Sequence, residues 1–258
     1  KPIMYTVGAG QIDDAHVIPA KPTKGLLVVQ VGGPAYRIGM GGGAASSMLQ
    51  GANTAELDFD AVQRGNPEME QRMNRLIRVC IELGAANPIQ SLCDFGAGGA
   101  CNAITEVVHP AGAVIDVRLL PLGDKSLSVL QIWGNEAQER IALLIKIGSL
   151  DLLQAIATRE GVPCVVVGEV TGDGNLVLQD GIDQSKPVEL PLKEILGDLP
   201  QKTFESRQWN PKLIPLALPS DLTVYAALDR VLRLPSVASK RFLTTKVDRS
   251  VTGRIVQQ

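Results

Sequence analysis

Aromatic residues make up only 3% of this 258-residue chain. That scarcity removes the stacking platforms on which single-stranded nucleic acid is usually held. The formal net charge is −2, so the basic footprint of a nucleic-acid binder is missing as well. Two histidines, His16 and His109, are too few for a histidine-rich metal centre. The four cysteines (Cys80, Cys93, Cys101 and Cys164) lack the paired spacing of a zinc site. All four sit in apolar contexts and read as small core hydrophobes. No apolar run approaches the ~20 residues of a membrane span; Ile141–Ile145 and Val165–Val167 are among the longest. The chain opens Lys1-Pro2-Ile3, with no initiator Met, basic n-region or signal-type apolar segment. It therefore reads as part of a longer, cytoplasmic protein with neither membrane nor nucleic acid as partner. No internal repeat is visible.

What is present is an ordinary globular composition, 45% hydrophobic and 20% charged, long enough to bury a substantial core. Residues 26–31 predict a buried strand ended by Gly32-Gly33-Pro34. Asn66-Pro67 opens the clearest helix, with Met69, Met73, Leu76, Ile77, Cys80 and Ile81 along one stripe. Further strands are predicted at 89–93, 114–119 and 140–147, and helices at 98–108 and 150–160. A strand at 164–168 is expected to return as a hairpin through Gly172-Asp173-Gly174-Asn175 into Leu176-Val177-Leu178. Six prolines between Pro187 and Pro219 suggest a linker. Ser220-Asp221 would then cap a helix over 222–234, and a strand over 242–247 would follow. Hairpins mixed with helices favour an α+β fold, a mixed β-sheet packed with helices, over a doubly wound sheet.

Three constellations could carry chemistry. In Leu92-Cys93-Asp94-Phe95-Gly96-Ala97-Gly98-Gly99, an apolar run ends in a carboxylate and passes through three glycines into a helical pattern. The turn would leave room beside Asp94, and the next helix would aim its N–H groups at the same space. A carboxylate there suits a magnesium-bound phosphate or a cationic or amide group. Residues 39–47, Gly-Met-Gly-Gly-Gly-Ala-Ala-Ser-Ser, offer repeated N–H groups and two hydroxyls to a phosphate. They lack the lysine of a P-loop and the spacing of a dinucleotide fingerprint, and a plain flexible loop would read the same. Gly134–Arg140 sets Asn135, Glu136, Gln138, Glu139 and Arg140 between apolar runs, either as hard oxygen ligands or as a solvated turn with an Arg–Glu pair. Asp58 and Asp60 could be a metal pair or simply loop residues. Gln63, just before a helix N-terminus, could reach a ligand through its amide.

Several long motifs agree with one family in order and approximate spacing. They are Val31–Pro34, Ile38–Ser47, Leu57–Pro67, Asp94–Gly99 and Asn135–Arg140, with Lys1-Pro2-Ile3 at the start and Asp248–Gly253 at the end. The chain resembles the large single-chain formylglycinamide ribonucleotide amidotransferases, the phosphoribosylformylglycinamidine synthases of purine biosynthesis. The resemblance implies that residues 1–200 are like the C-terminal domain of aminoimidazole ribonucleotide synthetase. Residues 201–241 would be a crossover linker and helix, and 242–258 the start of a second, truncated N-terminal-type domain. In this family ATP phosphorylates the formylglycinamide oxygen, and ammonia released from glutamine displaces phosphate to leave an amidine.

By the same resemblance, Gly41, Gly42, Gly43, Ala44, Ser46 and Ser47 would cradle the ribonucleotide phosphate. Gln63, Glu136 and Gln138 would bind substrate. Asp94 would stand at the reacting centre, with Asp94 and Glu136 as ligands of Mg2+. Most contacts to ATP, a catalytic histidine and the glutaminase would belong to the remaining synthetase and glutaminase domains, so the chain alone would be inactive. Two other readings stand beside this one. The chain could be a non-catalytic scaffold module carrying part of a structural nucleotide site. It could also belong to a shorter synthetase such as aminoimidazole ribonucleotide synthetase itself, against which the proline-rich crossover and the expected second domain argue.

Overall fold

The computed structural model of the chain describes residues 12–36, 66–96, 98–197, 201–203, 205–206, 212–213, 215 and 217–241. By contacts the chain divides into two units, Lys1–Asp198 and Leu199–Gln258. The first opens with the short helix α1 (Asp14–Val17) and is built on one mixed sheet of seven strands: β1 (Leu26–Gly32), β2 (Ile89–Asp94), β3 (Ala113–Asp116), β4 (Arg140–Lys146), β5 (Cys164–Val170), β6 (Asn175–Gln179) and β7 (Val188–Pro191), in the order β2-β4-β1-β5-β3-β6-β7. All pairs are antiparallel except β3 with β6. This is the expected α+β fold.

β1 lies third in the sheet and is buried at every position. Its side chains alternate between two cores, as strand geometry requires. Leu27, Val29 and Val31 meet α2 (Pro67–Glu82) and α5 (Leu150–Glu160) through Met73, Leu76, Cys80, Leu153 and Ile156. Leu26 and Val28 belong to the opposite core, with Ala100, Ile104 and Val107 of α3 (Gly99–Val108) and Ile132 and Trp133 of α4 (Val129–Gly134). Leu192 of α6 (Leu192–Leu196) closes that second core. The Asn66 side chain caps α2 by accepting from the Met69 N–H at 3.1 Å, where the sequence placed the start. Met73, Leu76 and Cys80 of the stripe are buried, but Ile81 at its far end is 43% exposed.

Four expectations are corrected. The strand expected over 114–119 is the short β3, followed by a 3-10 turn at Val117–Leu119. The hairpin across 172–175 does not form: β3 lies between β5 and β6 and pairs with both. Glycines make that insertion possible. A methyl on Gly168 would sit 2.2 Å from the Val114 carbonyl oxygen, and one on Gly112 2.5 Å from backbone N and O of Asn175. Residues from Pro187 are not yet linker, because β7 pairs with β6 and α6 packs below it. In the second unit the helix is α7 (Val224–Arg233), capped by Thr223, whose hydroxyl accepts from the Ala226 N–H at 3.2 Å, and not by Ser220-Asp221. Val224, Leu228, Val231 and Leu232 on α7 are exposed. The strand expected at 242–247 lies outside the described residues.

Candidate functional site

The order β2-β4-β1 brings the end of β2, the start of β4 and the end of β1 together at one end of the sheet. Three motifs far apart in sequence meet there: Gly32-Gly33, Asp94–Gly99 and Asn135–Arg140. Two glycines set the approach. Gly32 has φ +118°, and a methyl on it would lie 2.1 Å from the Glu139 carbonyl oxygen. Gly99 has φ +61°, and a methyl there would lie 2.3 Å from the carbonyl oxygen of Asn135. The glycine turn therefore rests directly on the peptide of Asn135, which no larger residue would allow. The Gly33 N–H donates to the Glu139 carbonyl at 3.0 Å and fixes the remaining side of the loop.

Asp94 ends β2, opposite Ile141 in register, and its side chain is exposed. Alternation puts it on the α2 and α5 face, whereas Phe95 turns into the other core. The Cys93 thiol donates to Glu106 Oε2 at 3.4 Å, and Asn102 donates to Glu106 Oε1 at 2.8 Å. Burial and the Glu106 carboxylate push the Cys93 thiol up to about 11, so it is no nucleophile at neutral pH. Cys80 and Cys164 are likewise raised to about 11 by burial. His109 is exposed at the C-terminal end of α3.

Glu136 and Gln138 are half-buried on the segment between α4 and β4. They share the end of the sheet with Asp94, but no hydrogen bond joins them to it among the described residues. Among those residues there is also no group of three or more His, Cys, Asp and Glu that could hold a metal. Of the residues expected to hold Mg2+, Asp94 is exposed and Glu136 half-buried at this end of the sheet. Gln63, the phosphate loop of Gly41, Gly42, Gly43, Ala44, Ser46 and Ser47, and the pair Asp58 and Asp60 lie outside the described residues.

The residue that organises the described part is Arg140, for which the solvated Arg–Glu pair, one of the two readings of Gly134–Arg140, does not hold. Arg140 is 2% exposed. Its Nε donates to the Ala137 carbonyl at 2.9 Å and its Nη2 to the Asn135 carbonyl at 3.3 Å. The guanidinium carbon lies 4.6 Å from the centroid of the Phe95 ring, a stacking geometry that favours a desolvated cation. Burial lowers its pKa to about 10, so it keeps its charge at neutral pH. The adjoining Glu139 adopts φ +54°, unusual for a residue with a side chain. Burial raises its carboxyl; the Asn66 N–H at the start of α2 opposes that shift, and Glu70 adds to it. The one sequence signal for Arg140 was a charge at the first position of the apolar run Ile141–Ile145.

A groove between α2 and α5 lies apart from this cluster, lined by Glu68, Arg72, Arg75, Arg159 and Glu160. Its charges answer one another, with Arg75 2.7 Å and Arg159 2.6 Å from Glu160. No helix among the described residues is long and apolar enough to cross a membrane.

Comparison with known proteins adds three findings. The family model described as AIR synthase related protein, C-terminal domain, matches residues 23–181. A probable phosphoribosylformylglycinamidine synthase, chloroplastic/mitochondrial, of Arabidopsis thaliana is 51% identical over 269 residues, covering 100% of this chain and 19% of its own length. The Homo sapiens phosphoribosylformylglycinamidine synthase is 50% identical over 274 residues, with 100% and 20% covered. The chain thus spans about a fifth of the length of these relatives. Among solved structures, T. maritima PurL complexed with FGAR superposes with a TM-score of 0.63 at 24% identity, covering 80% of this chain and 33% of that one. The same protein complexed with ATP gives 0.62 at 20% identity, with 80% and 32% covered. At these identities the likeness concerns the fold.

Proposed function

Because the chain belongs to the family of AIR synthase related C-terminal domains, we propose that it works as one part of a longer ATP-dependent amidotransferase of purine biosynthesis. That enzyme would convert formylglycinamide ribonucleotide, glutamine and ATP to formylglycinamidine ribonucleotide, glutamate, ADP and phosphate. The reading is supported by relatives named phosphoribosylformylglycinamidine synthase, or probably so, at 50–51% identity along the whole chain. The observation that carries it is the convergence of Gly32-Gly33, Asp94–Gly99 and Asn135–Arg140 at one end of three adjacent strands. Two glycine-bearing segments pressed against the backbone of a third, polar loop are what a surface that receives a ligand calls for, since binding residues concentrate on loops held by a rigid scaffold.

In this reading the chain supplies the substrate side. Asp94, exposed at the end of β2, accepts a hydrogen bond from the formylglycinamide amide and holds it as its oxygen is phosphorylated. Glu136 and Gln138 line the same pocket, Gln63 adds an amide contact, and the loop of Gly41–Ser47 takes the ribonucleotide phosphate. ATP with its magnesium, and the ammonia source, are assigned to other parts of the longer enzyme. The compartment is that of the whole enzyme. We place it in the cytoplasm, although the Arabidopsis relative is named chloroplastic/mitochondrial.

Calorimetric titration tests the assignment. Formylglycinamide ribonucleotide and ADP are titrated separately into the wild-type protein, Asp94→Ala and Gln63→Ala. Each substitution is expected to weaken the ribonucleotide about tenfold or more and to leave ADP unchanged. Equal ribonucleotide affinity in all three proteins overturns the site assignment. Amidine formation from ATP, ammonia and substrate by the 258 residues alone would overturn the division of labour.

A further inference from the structure

We propose that Arg140 is a positioning residue of the substrate site: its buried guanidinium holds the loop carrying Glu136 and Gln138 in register with the turn that follows Asp94. The inference rests on the function proposed above and deepens it. Arg140 is too buried to touch a ligand, so it acts through what it holds. One side of the guanidinium takes two carbonyls of the loop, Ala137 at 2.9 Å and Asn135 at 3.3 Å. Its face lies 4.6 Å from the ring of Phe95, the residue immediately after Asp94. The Phe95 N–H in turn donates to the Arg140 carbonyl at 3.1 Å. Arg140 therefore joins the two segments through its side chain and its backbone at once.

The arrangement does not read as a device for stability. A buried guanidinium gives up its hydration and recovers it only through complete hydrogen bonding. Among the described residues Nη1 is buried without a partner, and the side chain's hydrogen bonds go to carbonyls and not to a carboxylate. An apolar residue of similar volume would avoid that cost, since leaving a buried donor unmet is unfavourable. What the guanidinium gives instead is a planar fork with fixed directions. It fixes the carbonyls of Asn135 and Ala137, the residues on either side of the half-buried Glu136. The Asn135 carbonyl that it holds is also the atom against which Gly99 closes, so loop, turn and cation form a single unit.

The test uses the full-length amidotransferase containing this chain, with Arg140→Lys and Phe95→Leu compared with wild type. Lysine keeps the charge but has neither the fork nor the flat face; leucine removes the stacked ring and leaves Arg140 in place. Both variants are expected to raise KM for formylglycinamide ribonucleotide, by about tenfold for Arg140→Lys. KM for ATP and glutaminase activity should be unchanged. Hydrogen exchange at the amides of residues 136–139 should quicken in both. If the variants lose thermal stability and active fraction while KM for the ribonucleotide and amide exchange stay at wild-type values, the positioning role is overturned. Should Arg140→Lys not fold, Phe95→Leu decides by the same criteria. A wild-type enzyme that does not turn over formylglycinamide ribonucleotide overturns the function proposed above, and this inference with it. That outcome is distinct from unchanged variants of a working enzyme.

Discussion

At the scale of single residues, the site is specified by where side chains are missing. Gly96, Gly98 and Gly99 look equivalent in the sequence, yet a methyl group would meet nothing within 4 Å at Gly96 and the Asn135 carbonyl oxygen at 2.3 Å at Gly99. Gly99 also holds φ +61°, a conformation that costs an L-residue roughly 1–2 kcal/mol. Gly99→Ala is therefore expected to destabilise the protein by about 2–4 kcal/mol, since the obstructing atom is backbone and cannot swing aside. Gly96→Ala should stay within about 0.5 kcal/mol of wild type. Urea unfolding of the two variants checks both values, and equal stabilities would refute the contact between turn and loop. The sequence made the turn legible because glycine spacing is a local signal. It did not show that the turn is pressed against residue 135, because that contact depends on β4 lying beside β2. The burial of Arg140 was not legible for the same reason: a charge near Glu136 and Glu139 looks as solvated as it looks ligand-binding until the strand it begins is placed inside the sheet.

At the scale of elements, β1, β4, α2 and α5 were legible because each has its own period or cap. The placing of β3 was not. Thr171–Asn175 does make a tight turn, with Asp173 Oδ1 accepting from the Thr171 hydroxyl at 2.7 Å and the Asn175 N–H at 2.9 Å. Its two strands are nonetheless parted by a third from sixty residues earlier in the chain, at a spacing of roughly 5 Å per strand. What secures that parallel neighbour is a polar clasp at the ends of β3 and β6. Asp116 accepts from the N–H groups of Arg118 at 2.9 Å and Gly181 at 3.2 Å. Arg118 grips both oxygens of Asp180 at 2.9 Å and 2.6 Å. Those bonds to Arg118, then the Ile182 N–H, hold the Asp180 carboxyl below its ordinary value. A carboxyl lowered in the folded state stabilises above its unfolded pKa, about 3.9, and that contribution is lost as the pH falls through the lowered value. Asp180→Asn should therefore be less stable than wild type at pH 7. The difference should shrink as the pH drops below about 4. Urea midpoints measured across the acid range read this directly, and a gap independent of pH would show that the clasp is not ionic.

At the scale of the whole molecule, the prolines from Pro187 onward read as one continuous linker, but the structure draws the line later. Proline is compatible with an edge strand, where its missing N–H need not join a ladder. Pro191 accordingly closes β7, the last strand of the sheet. Beyond it Leu192 is 1% exposed in the core beneath β6, and Ile195 packs half-buried beside it. Residues 188–196 therefore cover β6, whose Leu176 and Leu178 are each 1% exposed. In the second unit, by contrast, α7 buries none of its own residues. A protein ending after Gly197 should consequently keep the thermal transition of the full chain to within about 2 °C. One ending after Lys186 loses the burial of Leu192, worth about 1.5–3 kcal/mol, and the ladder of β7. Its midpoint should fall by about 5–10 °C. Differential scanning calorimetry of the two truncations separates the cases, because a linker that begins at Pro187 would make them melt together. A fall on cutting at 197 as large as that at 186 would instead mean that residues after Gly197 stabilise the sheet, and the compact unit would then have to extend past Asp198.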